Sequence, residues 1–206
     1  MNWPLACVRH AEPLSNHTSF RIGGPAEWFA EPATAQELIQ LLGAARQRGL
    51  PVLVLGGGTN CLVADRGVRG LVLHLDTGFR EIDVVSNHDA PQARLRCGAA
   101  VTTQRLVNLA CQRGWGGIES LAGLPGQIGG AIAMNAQNIS QFVEQVTLVS
   151  FDGETRQLQR REMKFSYRDA ALPSGIVIEA VLEFPCVAPE RSAGPVRDIL
   201  CRRNAT

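Results

Sequence analysis

Several things are scarce in this 206-residue chain. No apolar run approaches the roughly 20 residues that a bilayer-spanning helix needs, so no transmembrane helix is expected. Neither sign of charge is in excess: the net charge is +1, which excludes a broad electrostatic footprint for nucleic acid or an anionic membrane. Metal-ligand spacings are missing as well. Cys7, Cys61, Cys97, Cys111, Cys186 and Cys201 form no CxxC pair, and the four histidines form no HExxH. No metal is expected, and the thiols read as small apolar residues. The start, Met1-Asn2-Trp3-Pro4-Leu5, has no basic segment leading into an apolar stretch. A secretory leader is therefore not expected, and residence in the cytoplasm is the default. Aromatic residues are few, at 5%, with a single tyrosine at position 167.

Glycine is abundant by contrast, at 21 residues. The glycines concentrate at 23–24, 56–58, 114–117 and 123–130. Clustered glycine marks places where bare backbone is needed. With 45% hydrophobic and 19% charged residues, the rest is an ordinary globular chain.

The pattern of elements is α+β. Residues 1–15 show no period and read as an N-terminal arm. Thr34-Ala35-Gln36-Glu37 is a capping box, followed by Leu38, Leu41, Leu42 and Ala45 on one helical face. Gly49 ends that helix and Pro51 blocks its return. Pro51–Leu55 and Leu71–Leu75 read as short buried strands, and Arg94–Cys97 as another. A second helix is predicted from Thr103 to Arg113, with Leu106, Leu109 and Ala110 inward and Gly114 as its cap. Gln145–Phe151 and Thr155–Leu158 flank Asp152-Gly153 as a hairpin. Ile176, Ile178, Ala180, Leu182 and Phe184 alternate as a half-buried strand. Two small units are expected, 16–78 and 79–185, with a tail at 186–206.

Three segments carry chemistry. Leu55-Gly56-Gly57-Gly58-Thr59-Asn60 runs a strand straight into three glycines. Their N–H groups can approach a phosphate closely, and Thr59 and Asn60 add side-chain donors. A plain tight turn is the alternative. The Rossmann fingerprint does not fit, because Cys61 stands where a third glycine belongs, and no Lys-Ser/Thr follows for a P-loop. Gly123-Leu124-Pro125-Gly126-Gln127-Ile128-Gly129-Gly130 leads into small residues ending in Asn135-Ala136. That surface suits a flat ring or a diphosphate, or else a helix packed closely through its glycines. In Phe165-Ser166-Tyr167-Arg168-Asp169, the guanidinium of Arg168 can clamp a carboxylate, or simply pair with a neighbouring acid.

Gly56–Asp65 together with Gly67-Val68-Arg69-Gly70 closely resembles the pyrophosphate loop of the UDP-N-acetylenolpyruvoylglucosamine reductase family. Asn16-His17-Thr18-Ser19-Phe20-Arg21-Ile22-Gly23-Gly24-Pro25-Ala26 resembles that family's opening motif. Gly117–Ala122 and Gly123–Asn135 resemble its second flavin loop, and Phe165–Arg168 its Tyr-Arg segment. The motifs occur in order and cover about 16–184. The resemblance implies the two-lobed FAD-binding module of vanillyl-alcohol-oxidase type. It implies noncovalent FAD, with NADPH as reductant and a sugar nucleotide as substrate. Gly56, Gly57, Gly58, Thr59 and Asn60 would hold the phosphates with Gly123, Pro125, Gly126, Gly129 and Gly130. Arg21, Cys61, Asn135 and Ile178 would complete the cofactor site. Tyr167 and Arg168 would contact the substrate, with Arg168 catalytic.

Two departures stand out. The family continues past Asn-Ala with Gly-Ala-Tyr-Gly, whereas this chain has Gln137-Asn138-Ile139-Ser140. The family also carries a third, substrate-binding domain that supplies a serine acid and an assisting glutamate. After Phe184 only 22 residues remain, too few for such a domain. Ser192-Ala193-Gly194-Pro195 is similar to the serine motif only superficially, because Pro195 replaces the proton donor. The alternative expectation is therefore a catalytically incomplete FAD-binding module of the same family.

Overall fold

The computed structural model of the chain describes residues 3–85 and 91–204. Residues 1–2 of the expected arm and 205–206 of the expected tail lie outside the described residues.

The first sheet contains β1 (Val8–Pro13), β2 (Pro25–Ala30), β3 (Val52–Leu55) and β4 (Val68–His74), in the order β1-β2-β4-β3. β2 and β3 run parallel to β4, while β1 is antiparallel to β2. The reading of 1–15 as an arm is thus corrected from Val8 onward. β1 is an edge strand exposed on most of its length, and such a strand shows no alternation for a sequence pattern to reveal. β3 is corrected too. As the other edge strand it leaves Leu53 and Val54 exposed, although it was expected to be buried. Central β4 is covered on both faces, and so Leu71-Val72-Leu73 forms an unbroken apolar run.

Between β2 and β3 lies α1 (Ala35–Gln47). Its Thr34 Oγ1 accepts from the Glu37 amide at 3.1 Å. The Glu37 carboxylate accepts from the Ala33 amide at 2.7 Å, one residue earlier than an ideal capping box. The helix closes in a Schellman arrangement, with Gly49 N–H on Arg46 O and Leu50 N–H on Ala45 O, both at 3.0 Å. Leu38, Leu41, Leu42 and Ala45 are fully buried along one stripe.

The second sheet is wholly antiparallel. It contains β5 (Ile82–Val84), β6 (Gln92–Gly98), β7 (Val143–Ser150) and β8 (Thr155–Gln159). A separate two-stranded hairpin follows, β9 (Lys164–Ser166) with β10 (Asp169–Ala171). The chain then enters β11 (Gly175–Pro185), which takes the centre of the order β5-β6-β11-β7-β8. Residue 78 lies between the last strand of the first sheet and the first strand of the second. α2 (Thr103–Arg113) ends on left-handed Gly114, as its sequence predicts, and Thr102 caps its start. The short α3 (Ile128–Ala133) follows the second glycine loop. The expected tail is in fact α4 (Pro189–Asn204), which packs on α2 and buries Val196.

The two sheets are not independent. The core around α1 includes Leu71 and Leu73 from β4 together with Val149, Ile176 and Ile178 from the second sheet. This shared core fixes one glycine loop relative to the other.

Candidate functional site

The first glycine loop leaves β3 at buried Leu55. Its shape is set from behind. The Ser19 amide donates to Gly58 O at 3.0 Å, and Gly58 has left-handed backbone, φ +61°. The opening motif therefore acts as a brace for the loop. His17 is anchored in turn. Its Nε2 pairs with Glu12 at 2.8 Å, and its ring stacks on Phe29. His74 pairs with Glu31 at 2.9 Å, while Arg9 sits on both carboxylates, at 2.5 Å from Glu31 and 3.3 Å from Glu12. Ligand-type atoms of His17, Glu31 and His74 all lie within 4.8 Å of one another. Arg9 already compensates the carboxylates, so the cluster reads as an ion-pair network behind the loop.

The second loop faces the first. A Cβ on Gly56 would lie 3.2 Å from Gln127 Oε1, and one on left-handed Gly126 would lie 3.1 Å from Thr59 Oγ1. Gln127 thus stands between the two glycine loops. It is the one polar side chain in the run from Gly123 to Ala133, and that isolation is the signal by which sequence reasoning could have found it. Only 8% of it is exposed, and among the described residues its amide has no protein hydrogen-bond partner. After α3 the chain passes through Asn135, Gln137 and Asn138, all left-handed.

The third component is the β9–β10 hairpin. Ser166 pairs with Asp169, so Tyr167 and Arg168 are its two turn residues. Arg168 also has left-handed backbone, φ +55°, and its guanidinium lies 5.8 Å from the Tyr167 ring centroid. Tyr167 is 88% exposed. The Asn135 Nδ2 donates to Ser166 O at 2.9 Å, joining this hairpin to the second loop.

These three segments enclose a cavity of about 570 Å³. That falls within the usual range for small-molecule sites. Gly56–Cys61, Pro125, Gly126, Gly130, Asn135, Tyr167 and Arg168 all line it. Four residues expected at the cofactor do not. Arg21 is exposed on the bracing segment, and Gly123 is a left-handed turn residue ahead of the loop. Gly129 lets α3 approach the backbone at Ala99, where a Cβ would come within 2.9 Å of the Ala99 Cβ. Ile178 is buried in the shared core, with its carbonyl accepting from the Ala99 amide at 2.9 Å. Gln127, Met134, Gln137 and Asn138 line the cavity without having been singled out as cofactor residues.

The model of the FAD binding domain family matches residues 26–159, more than half of the chain. The chain belongs to the FAD binding domain family. This FAD binding domain is 38% identical over 205 residues to UDP-N-acetylenolpyruvoylglucosamine reductase 2 of Symbiobacterium thermophilum, covering 97% of this chain and 65% of the relative. It is 41% identical over 188 residues to the corresponding reductase of Syntrophotalea carbinolica, covering 89% and 60%. The chain therefore spans less than two thirds of the length of these relatives. Among solved structures, UDP-N-acetylenolpyruvylglucosamine reductase from Thermus caldophilus superposes with a TM-score of 0.80 at 29% identity, covering 97% of this chain and 71% of that one. A solvent-stable cholesterol oxidase superposes at 0.63 with 19% identity, over 85% of this chain and 37% of its own, and shares the fold. The α+β architecture of vanillyl-alcohol-oxidase-type flavoenzymes expected from sequence is therefore present.

The residues fit FAD on their own chemistry. Gly56 and Gly57 present bare backbone to the cavity, as a diphosphate requires. Among the described lining residues the one charged side chain is Arg168, so no carboxylate opposes an anion. Gln127 offers an unpaired amide between the loops, and Ala131 and Met134 supply apolar surface for a flat ring. Among the described residues no helix is long and apolar enough to cross a membrane.

Proposed function

We propose that this chain is the FAD-binding part of an NADPH-dependent reductase. The reaction is reduction of UDP-N-acetylglucosamine enolpyruvate to UDP-N-acetylmuramate, a step in building peptidoglycan precursors. The observation that carries this reading is the convergence of two glycine loops and the Tyr167–Arg168 turn on one cavity. The relatives' names support the substrate.

The two lobes divide near residue 78, the first beginning with β1 at Val8 and the second taking in α4. Bound FAD supplies hydride-transfer chemistry between the nicotinamide donor and the enolpyruvyl alkene. Backbone donors of Gly56–Gly58 and Gly126 hold its diphosphate, with Thr59 and Asn60 adding side-chain donors. The Arg168 guanidinium meets the substrate carboxylate in a planar two-point contact, beside Tyr167. Hydride arriving at the β-carbon puts negative charge on the α-carbon and its carboxylate, and a fixed cation stabilises that charge as it grows. Such a reductase works in the cytoplasm on a soluble sugar nucleotide, and its product serves cell-wall biogenesis, cell shape and division.

A second reading is favoured by one observation. Among the described residues lining the cavity there is no Ser, His, Asp or Glu. These residues then bind FAD and orient substrate, and the proton that completes the alkene reduction comes from another part of the protein.

The reading is tested by denaturing the purified protein and assaying released flavin, then titrating the enolpyruvyl sugar nucleotide against the flavin absorbance. A colourless protein that also fails to take up added FAD overturns it.

A further inference from the structure

Among the described residues, the non-glycine residues with left-handed backbone are Ala11, Arg21, Asn135, Gln137, Asn138 and Arg168. Four of these six line the same cavity. Left-handed backbone is unfavourable for residues bearing a Cβ, and it persists only where the surroundings enforce it. The enforcing contact is visible here. Asn135 is buried, its Nδ2 donates to Ser166 O at 2.9 Å, and its Oδ1 accepts from the Ser140 amide at 3.2 Å. Ser166 immediately precedes the Tyr167–Arg168 turn. One amide therefore ties the left-handed run of the second loop to the left-handed turn of the hairpin.

Hydrogen bonds within the protein engage one N–H and the carbonyl oxygen of this side chain, which gives Asn135 a structural role beside its expected place at the cofactor. We propose that Asn135 is the positioning residue for Arg168, holding the hairpin so that the guanidinium stays at the cavity rim. The proposal rests on the reading of Arg168 as the carboxylate contact. The residue type follows from the geometry. The site needs a donor toward Ser166, an acceptor toward Ser140 and tolerance of left-handed backbone, and asparagine supplies all three. Aspartate lacks the donor and glycine lacks both polar atoms. The hairpin needs such a tie, because its strands are three residues each and a lone two-stranded hairpin is marginal in water.

The test uses the FAD-loaded protein with Asn135→Asp, Asn135→Gly, Arg168→Ala and the Asn135→Asp/Arg168→Ala double variant. Three quantities are measured: FAD affinity by fluorescence titration, deuterium uptake peptide by peptide, and affinity for the enolpyruvyl sugar nucleotide from the flavin absorbance shift. Both Asn135 variants are expected to raise uptake across 164–171 while leaving 143–150 and FAD affinity unchanged. Sugar-nucleotide affinity is expected to fall roughly tenfold, as for one lost hydrogen bond. The double variant is expected to bind no worse than Arg168→Ala alone, since both changes act through one contact. Unchanged uptake across 164–171, or loss of FAD with an undisturbed hairpin, overturns the proposal. So do Asn135 and Arg168 effects that simply add. A wild-type titration without any shift, or Arg168→Ala with unchanged sugar-nucleotide affinity, instead sinks the reading of Arg168, and the hairpin uptake then decides on its own whether Asn135 positions the turn.

Discussion

The carbonyl oxygen of His17 lies 2.0 Å from where a Cβ on Gly58 would stand. Gly58 is also left-handed, which costs a residue with a Cβ roughly 1–2 kcal/mol. Gly57 is different. A Cβ there would lie 3.6 Å from its nearest neighbours, Gln127 Cγ and Gly126 Cα. Gly58→Ala is expected to lower both the melting temperature and flavin retention. Gly57→Val is expected to melt like the wild type and to bind FAD more weakly, because its side chain projects where phosphate approaches. Thermal melts and flavin titrations on the two variants separate fold from ligand contact. Wild-type FAD affinity in Gly57→Val would place the phosphates elsewhere.

In a version of the protein extended to the full length of its reductase relatives, Arg168→Ala is expected to keep its flavin and lose turnover. In the proposed reading FAD is held by the backbone of the glycine loops, whereas Arg168 stands on a separate hairpin. Losing one contact that strengthens with transition-state charge costs on the order of 3 kcal/mol, about 10²-fold. Arg168→Lys is expected to recover only part of this, since an ammonium makes no planar two-point contact. The flavin spectrum and the steady-state rate are the measurements. An Arg168→Ala protein that emerges without flavin refutes the assignment.

The 206-residue chain by itself is expected to accept hydride from NADPH and to complete alkene reduction slowly. The described cavity residues include no serine or carboxylic acid, and a general acid contributes about 10²–10⁴-fold. Anaerobic flavin bleaching by NADPH, followed by product assay with the enolpyruvyl sugar nucleotide, distinguishes the two half-reactions. Rapid product formation would show that one of these residues, or water, serves as the acid.

Burial pushes the Cys97 thiol up to about 12, and the Glu179 carboxylate nearby adds to the rise. In the unfolded chain the same thiol ionises near pH 9. The folded state therefore keeps the thiol protonated where the unfolded state would lose its proton. The stability this represents is complete below pH 9 and is lost as pH rises toward 12, by about 1.4 kcal/mol per pH unit. Chemical denaturation at pH 8, 9.5 and 11 is expected to show a steeper decline for the wild type than for Cys97→Ala. Alkylation at pH 8 is expected to modify exposed Cys186 and Cys201 and spare Cys97 in the native protein. Parallel pH profiles for the two proteins would show that Cys97 is not the titrating group.

Much of this was legible in the sequence because the signals are local. The capping residues and the Leu38, Leu41, Leu42, Ala45 stripe specify α1 locally, and the Leu106 and Ala110 face with Gly114 specifies α2 in the same way. The two glycine loops and the Tyr-Arg pair are visible as composition, since bare backbone and a guanidinium each call for one residue type. Tertiary structure decided what depends on partners distant in the chain. β1 and β3 became edge strands only through the order in which four segments pair, and no local pattern encodes that order. Gly129 and Ile178 look like members of a flavin loop and a half-buried strand. They are packing residues because Ala99 and the shared core lie against them. Gln127 faces the first glycine loop, and Asn135 holds the hairpin across 31 residues of sequence, because the core around α1 fixes where the two sheets meet.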